Sequence, residues 1–265
     1  MQEIEFAGRW GEEFGRFGFE CFEDFFDYSD GRVINRNEKR DVIAFSLGKG
    51  GDKKDFFMKR FYCPHFKDML FTFNNFGYVC SQARCEWNNA NILLENGVGT
   101  YKPVCWGWEK RFGVERQSFF ITEKIRGQCF SDFVVERWGH LERSQRERIM
   151  GSLGQLIRRV HDMGISLPDL YVWHIFIEDD GCGGDDLAVI DLHRMKVNVK
   201  NRNEQIRNLG AFDFSMLGEY FDGEIREVFL DAYLGRDLQA DKEAISRKLK
   251  NRSMVLSKRR RKPKY

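Results

Sequence analysis

His161-Asp162-Met163-Gly164-Ile165-Ser166-Leu167-Pro168-Asp169-Leu170-Tyr171-Val172-Trp173-His174-Ile175-Phe176-Ile177 is followed, after an acidic and glycine-rich break, by Leu187-Ala188-Val189-Ile190-Asp191-Leu192-His193-Arg194. A helix end runs into a loop bearing one acid. Two short apolar strands follow, and the second ends on another acid. This order of elements can gather Asp169, His174 and Asp191 around a single cleft. Phosphoryl transfer asks for such a set, with one group to orient an acceptor hydroxyl and two to hold a phosphate-bound metal. The break from Glu178 to Asp186 carries five acids. Its spacing departs from the D-x-[DN]-x-[DN]-G calcium loop, so it reads as a solvated hairpin loop.

The stretch resembles the catalytic and metal loops of the protein-kinase-like fold, written H-R-D-L-x-x-x-N and D-F-G in protein kinases. Here the matching positions read Leu167-Pro168-Asp169-Leu170-Tyr171-Val172-Trp173-His174 and Asp191-Leu192-His193-Arg194. A histidine in the Asn position and an Asp-Leu-His-Arg metal loop resemble the bacterial lipopolysaccharide kinases, which phosphorylate heptose or Kdo in the lipopolysaccharide inner core. The departure from many relatives is Leu167-Pro168 in place of His-Arg.

The resemblance implies an α+β bilobal fold: a small antiparallel-sheet lobe with one main helix, and a larger, mostly helical lobe. The expected division is 1–127 for an N-terminal extension plus small nucleotide-binding lobe, 128–247 for the large lobe, and 248–265 for a basic C-terminal tail. Asp41 to Leu47 and Asp55 to Phe61 read as strands, joined by a loose turn at Gly48-Lys49-Gly50-Gly51-Asp52. Residues 1–27 mix Gly, acid and Phe and read as an extension leading into a first strand. No glycine-rich phosphate clamp is evident, and Gly31 is the candidate turn glycine between the first two strands. The aromatic stretch Phe66 to Phe76 reads as an insertion whose default is core packing. From Tyr78 to Leu94 the apolar positions have helical spacing, with Glu86 beside the seam.

By the same resemblance, Lys59 falls where the nucleotide lysine of the third strand should be, and Glu86 is its candidate partner. Glu123 and Ile125 would offer backbone groups to adenine. Asp169 would accept the acceptor proton, and Asp191 would bind Mg2+ bridging the phosphates of ATP. His174 takes the second metal position, although magnesium prefers oxygen. Arg194 and Arg60 are further candidates for phosphate or acceptor contact. His161 and Gly164 read as structural, one near a helix end and the other at its left-handed stop. After Arg194 the chain turns quickly into a helix near Glu204 with no Ala-Pro-Glu signature, which argues against a peptide acceptor.

Composition sets outer limits. The chain's 265 residues suffice for two lobes and a substantial core, rich in rings given 25 Phe, 6 Trp and 8 Tyr. Seven scattered Cys show no C-x-x-C pair, which argues against a zinc cluster and fits a reducing compartment. The start is acidic and no run approaches membrane-spanning length, so the expected location is cytoplasmic, with peripheral contact at the inner face of the membrane. Net charge is only +2, yet Lys248 to Lys264 holds nine Lys or Arg and no acid. Such a tail meets anionic lipid or stands solvated, and nucleic acid is the weaker partner. No obligate protein partner is legible. The function expected is an ATP-dependent kinase of a lipopolysaccharide-core sugar or similar glycolipid. The competing readings are a kinase of another small acceptor and a pseudokinase scaffold that binds nucleotide without transferring phosphate.

Overall fold

The computed structural model describes residues 1–64, 66–179 and 185–265, so the tip of the acidic hairpin loop, 180–184, lies outside the described residues. The chain divides into two compact units, Met1–Ile125 and Arg126–Tyr265.

The first unit is a six-stranded antiparallel sheet with helices on both faces. Its strands are β1 (Gln2–Phe6), β2 (Arg32–Arg36), β3 (Arg40–Leu47), β4 (Lys54–Tyr62), β5 (Pro103–Arg111) and β6 (Val114–Glu123), in the order β1-β5-β6-β4-β3-β2. The register of β3 on β4 sets Phe45 opposite Phe56, Ile43 opposite Met58 and Asp41 opposite Arg60. Side chains alternate between faces along a strand, so these six share one buried face and Lys59 points to the other. On Lys59's face lies α4 (Gln82–Glu95), whose Trp87 meets the ring of Phe120, the β6 partner of Lys59.

The expectation of an N-terminal extension is corrected here. β1 pairs with β5 as an edge strand, and α1 (Trp10–Gly15) and α2 (Phe22–Phe26) supply the rings that cover the Phe45 face. Phe14 is fully buried, and Phe25 stacks on Phe119 with centroids 5.0 Å apart. The short α2 starts where it does because the Asp24 carboxylate accepts the amides of Glu20 and Cys21, a local cap. Gly107 is required by the same packing, since a Cβ there would come 2.5 Å from the Phe119 ring. Phe14→Ala is therefore expected to cost about 3–5 kcal/mol, as ring deletions in a closed core do. Urea unfolding checks it, and a loss below about 1 kcal/mol would show the segment to be dispensable.

Gly31 also stands elsewhere than expected. It precedes β2, packed so closely on β3 that a Cβ would lie 3.0 Å from Ile43 Cδ1 and 3.2 Å from the Ala44 carbonyl. The turn between β2 and β3 is Asn37 to Lys39, where Asn37 Oδ1 accepts the amides of Lys39 and Arg40. Phe66–Phe76 forms α3, an amphipathic helix tied to the approach of α4 through Thr72, which donates to the Met69 carbonyl and accepts the Cys80 amide.

The second unit holds a three-stranded sheet, β7 (Gln128–Cys129), β8 (Ile175–Asp179) and β9 (Asp185–Val189), with α5 (Phe130–Arg137), α6 (Arg143–Asp162), α7 (Arg202–Ser215), α8 (Gly223–Leu234) and α9 (Lys242–Arg259). Ile149, Leu153, Leu156, Ile157 and Val160 bury the stripe of α6. Gly154 lets α8 approach, for a Cβ would lie 2.5 Å from the Phe229 carbonyl. Past Met163, Gly164 at φ +70° donates to the His161 carbonyl and Ile165 to that of Val160, the paired closure of a left-handed helix stop. That stop delivers the chain into the loop at Leu167.

The expected basic tail is not a separate segment. Residues 248–259 continue α9, which packs on α7 and buries Leu249 and Leu256. The apolar positions, one turn or two apart, hold the helix down while Lys248, Lys250, Lys258 and Arg259 face solvent. Among the described residues no helix is long and apolar enough to cross a membrane.

Candidate active site

The second unit carries the acidic cluster. β8 and β9 pair with Ile175 opposite Val189, and beyond that pair the Ile190 amide donates to the His174 carbonyl. Two residues that lie seventeen positions apart are thereby made neighbours, with His174 Nε2 3.9 Å from Asp191 Oδ2. The other ring nitrogen of His174, Nδ1, donates to the Asp169 carbonyl at 2.7 Å. In the neutral ring that bond leaves the lone pair on Nε2, the arrangement in which histidine binds metals. Asp191 sits at φ 60°, ψ 60°, a left-handed conformation that costs a non-glycine residue roughly 1–3 kcal/mol and marks functional turns. His193 Nδ1 donates to Asp191 Oδ1 at 3.1 Å. Arg194 places Nη1 3.2 and 3.3 Å from the two carboxylate oxygens of Asp169.

The donor set suits a divalent cation. A magnesium ion about 2.1 Å from each ligand accommodates donors up to roughly 4.2 Å apart, and the Asp191–His174 spacing falls inside that limit. Asp191 supplies the oxygen that such an ion prefers.

The loop around Asp169 is pinned by α7. Asn208 Oδ1 accepts the Leu167 amide at 2.7 Å and the Nε2 proton of His161 at 3.1 Å. Tyr233 donates its hydroxyl to His161 Nδ1 at 2.9 Å. A ring with one donor and one acceptor nitrogen is neutral, and burial pushes its pKa down to about 4. Ser215, two turns along α7 from Asn208, accepts the Val172 amide at 2.9 Å. The two side chains therefore grip the loop on both sides of Asp169.

In the first unit, Lys59 Nζ meets Glu86 Oε1 at 2.6 Å, and Tyr101 donates its hydroxyl to Glu86 Oε2 at 3.1 Å. Glu86 is buried, and removing either member of such a pair leaves an uncompensated charge. The helix bearing it is held by its first turn. Ser81 Oγ accepts the Arg84 amide, Ser118 Oγ that of Ala83, and the Glu115 carboxylate that of Gln82. Helix starts leave such amides without intrahelical partners, and here β6 supplies two of the three acceptors. Burial pushes the Glu115 carboxyl up to about 7 from an ordinary 4.5.

That shift has a signed consequence. Between pH 4.5 and 7 the folded chain keeps a proton on Glu115 that the unfolded chain has lost, so this group makes stability fall as pH rises. The advantage of Glu115→Gln over wild type should grow by roughly 3 kcal/mol from pH 4.5 to 8. Urea midpoints at several pH values check this, and a pH-independent difference would contradict it.

The sequence that carries these residues matches known proteins. The family model described as lipopolysaccharide kinase (Kdo/WaaP) matches residues 25–240. The chain belongs to this lipopolysaccharide kinase family. Among curated proteins, the lipopolysaccharide core heptose(I) kinase WaaP of Escherichia coli (strain K12) is 24% identical over 216 residues, 79% of this chain and 80% of that protein. Among solved structures, WaaP in complex with acyl carrier protein aligns with a TM-score of 0.72 at 21% identity, over 96% of this chain and 99% of that one. The fold is thus the α+β, protein-kinase-like one: a small antiparallel-sheet lobe and a larger, mostly helical lobe. Membership places the chain among the kinases, as a phosphotransferase.

In this family member, the residues singled out in the sequence fall into four places. Asp169, His174, Asp191 and Arg194 come together in the helical unit, and Lys59 and Glu86 pair in the sheet unit. Glu123 and Ile125 lie where β6 ends, with the Glu123 amide donated to the Lys102 carbonyl. Arg60 is no phosphate ligand. Its guanidinium is buried, making two 2.8 Å bonds to Asp41 and further bonds to the carbonyls of Phe26 and Tyr28. Burial works against the Asp41 charge, and Arg60 overrides it, holding that carboxyl below its ordinary range. The pair stitches the N-terminal helices to the sheet. Asn208, Ser215 and Glu115 escaped the sequence reading. Two polar residues two turns apart among the apolar residues on the buried side of α7 were the signal available for Asn208 and Ser215.

Proposed function

We propose that this kinase transfers the γ-phosphoryl group of ATP to a hydroxyl of a lipopolysaccharide-core sugar or a similar glycolipid. The observation that carries the reading is the cluster of Asp169, His174 and Asp191, joined by a backbone-fixed histidine tautomer. In this reading the Asp169 carboxylate orients the acceptor hydroxyl and takes its proton as the oxygen attacks in line. Asp191 and His174 would hold Mg2+, which when bound neutralises charge on the transferring phosphate. Lys59, fixed by Glu86, would neutralise the remaining phosphates, and the β6 exit at Glu123 to Ile125 would receive adenine on backbone groups. Arg194 begins on Asp169 and has the reach of an exposed arginine, so it supports a role in ordering the loop before substrate arrives.

Family membership and the helix that follows soon after Arg194 support a sugar acceptor over a peptide. The exposed basic residues of α9, Lys248, Lys258 and Arg259, with Arg261 and Lys262 just beyond it, support work at an anionic bilayer, at about 1 kcal/mol per basic residue near the surface. The test is ADP release from magnesium ATP with and without lipopolysaccharide core acceptors. Acceptor-stimulated release is the expected result. Tight nucleotide binding with no release on any core acceptor would contradict the acceptor and favour a scaffold.

A further inference from the structure

The catalytic loop from Asp169 to His174 has little regular backbone bonding of its own, a turn closed by the Leu170 amide on the Leu167 carbonyl and a 3-10 turn over Val172–His174. Its shape therefore depends on side chains brought from elsewhere. Two come from α7, as described. Others come from the segment just beyond α9.

Tyr171, two residues after Asp169, is buried, and its ring stacks on Trp173 with centroids 4.8 Å apart and planes 10° apart. The Arg260 guanidinium lies 5.3 Å from the centroid of the Tyr171 ring, and Nη1 donates to the Tyr171 hydroxyl. Leu256, one helical turn before Arg260, is buried against Tyr171 with Trp173, Ala211 and Phe214 around it. Five residues further on, Tyr265 donates its hydroxyl to the Ser215 carbonyl at 2.8 Å and accepts the Leu217 amide at 3.2 Å. Its ring packs on Tyr220. Ser215 is the residue whose Oγ holds the Val172 amide. One segment thus reaches adjacent loop residues by two routes, directly at Tyr171 and through Ser215 at Val172.

We propose that residues 256–265 form a strut that sets the catalytic loop, with Arg260 and Tyr265 as positioning residues for phosphoryl transfer. A purely solvated basic run would not bury a leucine against the loop or cap its tyrosine. Neither side chain needs to touch substrate. Arg260 fixes the ring that follows Asp169, and Tyr265 fixes the end of α7 from which Ser215 reaches. A loop free to drift by a fraction of an ångström loses the in-line geometry on which the transfer step depends, while nucleotide binding in the sheet unit is left alone. The inference rests on the proposed role of Asp169.

The experiment uses the full chain as Arg260→Ala, Arg260→Lys and Tyr265→Phe, with Asp169→Asn alongside. Steady-state turnover, thermal midpoint and amide hydrogen exchange are read together. Arg260→Ala should lower kcat about tenfold with the KM for ATP unchanged. It should also speed exchange at residues 170–174 about tenfold and leave α6 unaltered. Arg260→Lys keeps a cation over the ring but loses the planar donor, and should recover part of both effects. Tyr265→Phe should act in the same direction and more weakly. Unchanged exchange in the loop, or equal acceleration in the loop and α6, would overturn the proposal, because the segment would then be inert or merely stabilising. The exchange readout needs no turnover. If Asp169→Asn keeps full activity while Arg260→Ala loosens only the loop, the strut stands and the role of Asp169 falls.

Discussion

Asp169→Asn should lower kcat by about a thousandfold, on the order of 4 kcal/mol of transition-state stabilisation, with the KM for ATP nearly unchanged. The carboxylate sits on the loop that α7 holds at Leu167 and Val172. An amide keeps the shape and still meets solvent, but cannot accept the hydroxyl proton. Arg194 loses its charged partner in this variant, so the loop is expected to exchange somewhat faster as well. Because Asn is nearly isosteric, the thermal midpoint should stay close to that of wild type. A loss of activity accompanied by a large fall in midpoint would point to folding rather than chemistry.

The second large effect is expected at Asp191. Asp191→Ala should reduce turnover by a factor comparable to that of Asp169→Asn and weaken binding of magnesium ATP, whereas Asp169→Asn should spare binding. The distinction follows from position. Asp191 carries the preferred oxygen ligand and lies beside His174, while Asp169 is tied to that histidine only through its carbonyl. The left-handed backbone at Asp191 gives a further contrast, because Asp191→Gly relieves the strain but also lacks the ligand. Stability of the glycine variant should therefore match or exceed that of wild type while activity is lost. Calorimetric titration of magnesium ATP together with urea unfolding separates these outcomes. Undiminished binding in both variants would place the metal elsewhere.

Lys59 and Glu86 were assigned through the resemblance to the kinase small lobe, because a Lys on a strand face and a Glu beside a helical seam say little by themselves; the fold pairs them at 2.6 Å. Asp169, His174 and Asp191 were legible because they lie at the ends of two short strands and on the loop just before them, although the loop takes its shape from α7. The rest depended on contacts that no short window contains. Arg60 finds Asp41 nineteen residues away, Arg194 finds Asp169 at twenty-five, and Asn208 finds the Leu167 amide at forty-one. Residues 1–27 looked like an appendage because their Phe positions follow no single period, and only the sheet they cover explains them. The basic run after Lys248 looked like a free tail because charge dominates its composition. Its two buried leucines, Leu249 and Leu256, decide its fate, and Arg260 acquires its meaning only from Tyr171. Gly31 shows the converse error, since a glycine near a turn served close packing against Ile43 rather than the turn itself.

On the proposed function, this chain makes a phosphate ester on a lipopolysaccharide-core sugar. The most direct measurement incubates wild type and Asp169→Asn with magnesium ATP and purified core acceptor, then locates the new phosphate on the acceptor by mass spectrometry. The account predicts one phosphate on a core sugar hydroxyl with wild type and about a thousandfold less with the variant. An acceptor that remains unmodified by wild type, or is modified equally by both proteins, would contradict it.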